Sequence, residues 1–213
     1  MNVIDILSKD TIRNFVYDDN SKIKILLGSR RVGKTAALCL STVRDMQENN
    51  ECDVLFCCSY VGQKRYILQT IKEICSALDC EYESAHDGII INDNRLYVKT
   101  INEIEKGDTR GLRFKHLKVD EPYFSRRAFD ELLSLFKLST VWANNEDVSI
   151  SIAGTTPLTK ELCSSCYITR YIAKASDVYN ESEIEEFKKY LDERTYKREI
   201  LLEFDDEPFD LFF

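Results

Sequence analysis

The chain has 213 residues, 44% hydrophobic and 31% charged, which is enough apolar content for one sizeable core and too much for global disorder. Its formal net charge is -8 and its isoelectric point lies near 5.0. That balance argues against strong autonomous binding to bulk nucleic acid, because displacing counterions takes clustered positive charge.

In chain order, Met1 to Tyr17 lacks the continuous apolar core of a secretory signal. Instead, Val3 to Val16 sets Ile4, Ile6, Leu7, Ile12, Phe15 and Val16 at helical spacing, a stripe suited to core packing. Lys22 to Leu27 reads as a strand, and Lys34 to Glu48 as the helix that follows it. Between them stands Gly28-Ser29-Arg30-Arg31-Val32-Gly33-Lys34-Thr35, which fits G-x-x-x-x-G-K-[ST] in the strand–loop–helix setting that this phosphate-binding pattern requires. An ordinary glycine-rich turn would not need that setting. The loop amides and the helix dipole would face an anion, Lys34 would reach the β- and γ-phosphates, and Thr35 would offer its hydroxyl to Mg²⁺.

Asp53 to Tyr60 is an almost continuous apolar run, as expected of a buried parallel strand. Gln63 to Leu78 returns to helical period, and Gly88 to Ile91 with Leu96 to Thr100 reads as a strand pair around a polar turn. The basic strip Lys106 to Lys118, with Arg110, Arg113 and Lys115, suits either phosphate contact or a solvated loop. His116 to Glu121 reads as a short, partly polar strand ending in two acids. Taken alone it would be a solvated turn before Pro122. Downstream of the phosphate loop, Asp120 suits the metal and Glu121 the polarisation of an attacking water. Ala128 to Leu138 is helical, Val148 to Ala153 is another buried strand, and Glu181 to Phe204 is a charged helical segment broken near Thr195. The alternation predicts an α/β fold of the P-loop NTPase kind: a mostly parallel central sheet, helices on both faces, and a ligand at the carboxyl ends of the strands. Gly28, Asp120 and Gly154 all fall at such ends. One domain spans 1–213, with an N-terminal helix within 1–20 and a helical segment over 181–213.

The eight cysteines are read as free thiols of a reducing compartment. Cys163 and Cys166 have metal-ligand or redox spacing but lack a second cysteine pair, and His86 and His116 are the only histidines.

Together these residues resemble the ATPase domain of the large terminase subunit, the DNA-packaging motor of tailed phages. The resemblance rests on the arginine-containing loop 28–35, on Gly107-Asp108-Thr109-Arg110-Gly111-Leu112, on Val119-Asp120-Glu121, and on Ala153-Gly154-Thr155-Thr156-Pro157, which is similar to the family's coupling motif. It implies ATP and Mg²⁺ as ligands, Arg30 as a sensor of the γ-phosphate, and Thr155, Thr156 and Pro157 as the coupling element. Arg110 becomes the candidate arginine finger offered to a neighbour in a ring. It further implies double-stranded DNA and a portal or procapsid as partners, no membrane, and the host cytoplasm as the place of work. The family's adenine-reading glutamine has no counterpart ahead of the loop, since Gln47 is the first glutamine. The family continues into a nuclease domain, and this chain stops where that domain should begin. Nuclease activity is therefore expected from a separate or removed unit, and Asp205, Asp206, Glu207 and Asp210 are read as a solvated tail. The rival readings are a helicase-like or remodelling ATPase, a non-hydrolysing nucleotide-binding assembly module, and a small-molecule kinase.

Overall fold

Among the described residues, eight strands form one sheet in the order β3-β4-β5-β2-β6-β7-β1-β8. The structure is a computed structural model and describes residues 8–18, 20–121, 134, 148–155 and 168–203. The strands are β1 (Ile23–Gly28), β2 (Val54–Cys58), β3 (Glu83–Ala85), β4 (Gly88–Ile91), β5 (Asn94–Thr100), β6 (His116–Asp120), β7 (Ser149–Gly154) and β8 (Ile168–Ala173). From β5 to β8 every pairing is parallel, and only the β3-β4-β5 edge is antiparallel. The described helices are α1 (Asp10–Val16), α2 (Lys34–Glu48), α3 (Val61–Ala77), α4 (Ile101–Glu105), α5 (Glu181–Tyr190) and α6 (Glu193–Tyr196), followed by a π turn, Lys197–Leu201.

Alternation along the strands divides the core between the two faces of the sheet. Leu26, Phe56, Val54, Val98 and Ala153 meet α1, α2 and α3 on one face. Ile25, Leu55, Leu117, Val119, Ile150 and Ile152 meet α4, Phe114 and Leu112 on the other. The α/β reading with helices on both faces therefore holds. Residues on the first face of β6 and β7 include Lys118, Ser149 and Ser151, which explains why β6 looked only partly apolar. The Lys118 ammonium is fully buried, lying 2.6 Å from Asp45 Oδ2 and donating to Ser41 Oγ (2.9 Å) and Ser151 Oγ (3.1 Å). The Asp45 contact is close but off the hydrogen-bond axis, since that oxygen has no aligned donor.

Several boundaries differ from the sequence expectation. The N-terminal helix is not continuous from Val3 to Val16, because Lys9 is extended (φ -96°, ψ 118°) and α1 begins only at Asp10. The break in the C-terminal segment falls at Leu191, extended at φ -115° and ψ 144°, rather than near Thr195. Asp192 then caps α6 by accepting from the Thr195 amide at 3.0 Å. Strands β3 and β8 were not foreseen. Val3 to Leu7, most of Ala128 to Leu138, Cys163, Cys166 and the acids from Asp205 to Asp210 lie outside the described residues. Cys39, Cys52, Cys57, Cys58, Cys75 and Cys80 are free. Among the described residues no helix is long and apolar enough to cross a membrane.

Candidate functional site

The carboxyl ends of β1, β6 and β7 lie side by side, with Leu27 opposite Gly154 and Asp120 opposite Ala153. This register brings the glycine loop, the two acids and Thr155 to one rim of the sheet. Two glycines shape the loop for physical reasons. A Cβ on Gly28 would sit 2.9 Å from Val32 Cγ2 and 3.0 Å from the Ala173 carbonyl. Gly33 takes φ 96°, a left-handed value that other residues adopt only with strain. Arg31 shares that region at φ 64°, so the loop alternates handedness in the manner of an anion-binding nest. α2 starts at once, with no side-chain cap, and its first-turn amides have no partner within the helix.

One flank of the loop is fastened to the C-terminal part of the chain. The amides of Ser29 and Arg30 donate to the carbonyls of Ala173 (2.9 Å) and Glu199 (2.7 Å). Ser29 Oγ donates to the Ile200 carbonyl at 2.6 Å and accepts from the Ala175 amide at 2.9 Å. The Arg30 guanidinium pairs with Glu199 at 2.8 Å.

Lys34 is buried, its ammonium donating to the carbonyls of Gly28 (3.0 Å) and Ser29 (2.9 Å) and standing 3.6 Å from Glu121. Burial pulls its pKa below the ordinary lysine value, while the charges of Glu121 and Asp120 oppose that shift. Asp120 is fully buried, and Oδ2 accepts from Thr35 Oγ1 (2.8 Å) and Gln63 Nε2 (2.7 Å). Oδ1 has no partner. Burial raises the Asp120 pKa to about 6, against the lowering effect of the two donors. Glu121 takes φ 50°, a left-handed position costing about 1–3 kcal/mol in a non-glycine residue. Its carboxylate accepts from Thr155 Oγ1 (3.0 Å) and the Thr155 amide (3.2 Å). A cavity of about 380 Å³ opens beside these groups, lined by Thr35, Ser59, Gln63 and Glu121 together with exposed Tyr60 and Tyr66.

The structure thus joins Lys34, Thr35, Asp120, Glu121 and Thr155, as the sequence predicted. Arg30 instead faces Glu199. Arg110 is exposed on the turn after α4, its amide bonded to the Gly107 carbonyl at 3.1 Å. Thr156 and Pro157 lie outside the described residues. The sequence carries no sign that Gln63 and Glu199 reach the site. The partners of each sit 57 and 169 positions away, and no local pattern marks such contacts.

Comparison with known proteins agrees with this picture. The model of the terminase large subunit, T4-like-virus type, N-terminal region, matches residues 25–205. No curated protein matches the chain. The large terminase of a thermophilic bacteriophage, in complex with ATP-γ-S, superposes with a TM-score of 0.72 at 14% identity, covering 91% of this chain and 52% of that one. The large terminase ATPase domain of Thermus phage P74-26 gives 0.70 at 12% identity, covering 91% and 93%. The N-terminal domain of the DNA packaging ATPase from bacteriophage phi29 gives 0.52 at 13% identity, covering 67% and 76%. At these identities the likeness shows the fold. The chain spans about half the length of the first of these relatives.

Proposed function

The chain belongs to the large terminase family of T4-like-virus type, and from that membership we propose that it is the ATP-hydrolysing unit of a motor that drives double-stranded DNA into a viral procapsid. The observation that carries this reading is the meeting of Lys34, Thr35, Asp120 and Glu121 at one rim, with one buried carboxylate oxygen left without a partner among the described residues. The loop amides and Lys34 hold the triphosphate. Thr35 and Asp120 fit a magnesium ion, because Asp120 Oδ1 is an orphaned hard-oxygen donor beside a hydroxyl. When bound, that ion neutralises charge on the β- and γ-phosphates. Glu121 orients the attacking water and accepts its proton, within reach of the Lys34 charge. Thr155 donates both of its protons to Glu121, so the element after β7 registers where that carboxylate points. On this reading Arg30 exchanges its ion pair with Glu199 for the γ-phosphate within the subunit, Arg110 serves a neighbour's site in a ring, and Thr156 and Pro157 extend the coupling element. Portal, procapsid and nuclease partners, and the host cytoplasm, follow from the same reading.

The test is phosphate release with and without double-stranded DNA and empty procapsids. Stimulation by both is expected. Stimulation by DNA alone, with strand separation, would favour a helicase-like enzyme. Glu121→Gln should retain nucleotide binding and lose turnover by about 10²-fold or more. Undiminished hydrolysis in that variant would remove Glu121 from the chemistry.

A further inference from the structure

We propose that Gln63 is the positioning residue for Asp120: it fixes the rotation of that carboxylate so that Oδ1 stays free for the metal. The inference rests on the ATPase reading above and adds a residue to it. Gln63 lies in the first turn of α3, and both ends of its side-chain amide are engaged. Oε1 accepts from the Ser59 amide at 2.9 Å, and Nε2 donates to Asp120 Oδ2 at 2.7 Å. The backbone donor at one end and the carboxylate at the other leave a single possible orientation for the amide. A residue that merely braced the start of α3 would need only the Ser59 bond, with its NH₂ turned to solvent. This one points into a buried acid.

The geometry at Asp120 explains what the second bond accomplishes. Oδ2 takes two donors from two different helices, Thr35 on α2 and Gln63 on α3. With one donor, the carboxylate can turn about χ2 and exchange its oxygens. With two converging on one oxygen, that exchange is blocked, and the other oxygen is the one that is buried and without a hydrogen-bond partner among the described residues. The same turn also steadies the adjacent acid, since Ser59 Oγ donates to the Glu121 carbonyl at 3.2 Å. The β2–α3 connection therefore acts on both acids. Outer partners of metal-binding groups typically change metal affinity by about 10- to 100-fold.

The experiment measures binding of a fluorescent ATP analogue to the full chain while Mg²⁺ is titrated, and again in EDTA. Gln63→Leu should raise the Mg²⁺ concentration for half-maximal tight binding by about tenfold or more. Gln63→Glu should raise it further, because a carboxylate then faces Asp120; it keeps the size and the Ser59 contact should Gln63→Leu fold poorly. Affinity in EDTA should be unchanged in both. An unaltered Mg²⁺ titration, or an equal loss with and without Mg²⁺, would overturn the assignment. A wild-type chain without Mg²⁺-dependent nucleotide binding would instead overturn the ATPase reading, and this inference with it.

Discussion

At the scale of single residues, buried polar groups carry the chemistry, and each is held away from its ordinary behaviour by its surroundings. Asp120 is kept beside a free oxygen lone pair at the cost of burial. His116, at the start of the same strand, shows the effect on stability. Burial brings its pKa down to about 4, with Asp45 opposing and Lys118, Lys115 and Lys24 assisting, while Nδ1 shares a 2.7 Å bond with Ser149 Oγ. The unfolded chain takes up that proton near 6.5, whereas the folded chain resists it until about 4. Folding stability should therefore be fully present above pH 6.5 and decline as pH falls through the window from 6.5 to 4, by up to about 3 kcal/mol. Urea denaturation of the wild type and of His116→Gln across that window checks this. The difference between the two curves should be constant above pH 6.5 and change only as pH falls below it, and parallel curves throughout would show that another group titrates.

At the scale of elements, the buried ammonium of Lys118 ties α2, β6 and β7 together beneath the site. Burial would push the Asp45 pKa up, yet Lys118 holds it below the usual carboxylate value. Asp45→Ala leaves a buried charge uncompensated and should cost about 3–5 kcal/mol, whereas Asp45→Leu combined with Lys118→Met should recover most of that loss. Equal losses in the single and double variants would show that the pair is not coupled. Such a network was invisible in the sequence, where Lys118 looked like one polar residue in a short strand. The elements themselves were more legible. Lys34 to Glu48 was bounded correctly because the glycine loop fixes its start and the polar Asn49-Asn50 its end. β8 escaped because among the described residues it is an edge strand paired with β1, and polar Thr169 and Arg170 interrupt its apolar pattern. β3 escaped because its three residues, Glu83, Ser84 and Ala85, carry no apolar period and are placed by backbone pairing alone. The break at Leu191 did have a signal, the capping aspartate Asp192 that follows it.

At the scale of the whole molecule, the sheet topology decides which distant segments become neighbours, and Lys34, Asp120, Glu121 and Thr155 were legible because they follow or end strands. The role of Arg110 toward a second copy came from the family resemblance, since no single chain can display it. On the proposed reading, turnover per subunit should climb with protein concentration in the wild type. It should stay flat, about 10³-fold lower at saturation, in Arg110→Ala. Matching curves would take Arg110 out of the trans role.

The seating of Glu199 and Ile200 on Ser29 and Arg30 has a practical side. A shortened expression version that ended after β8 would retain every motif residue and still strip the loop of its outer wall. A trimmed version meant to bind nucleotide should keep the chain through Glu203, whose amide closes the π turn onto the Lys197 carbonyl at 2.9 Å.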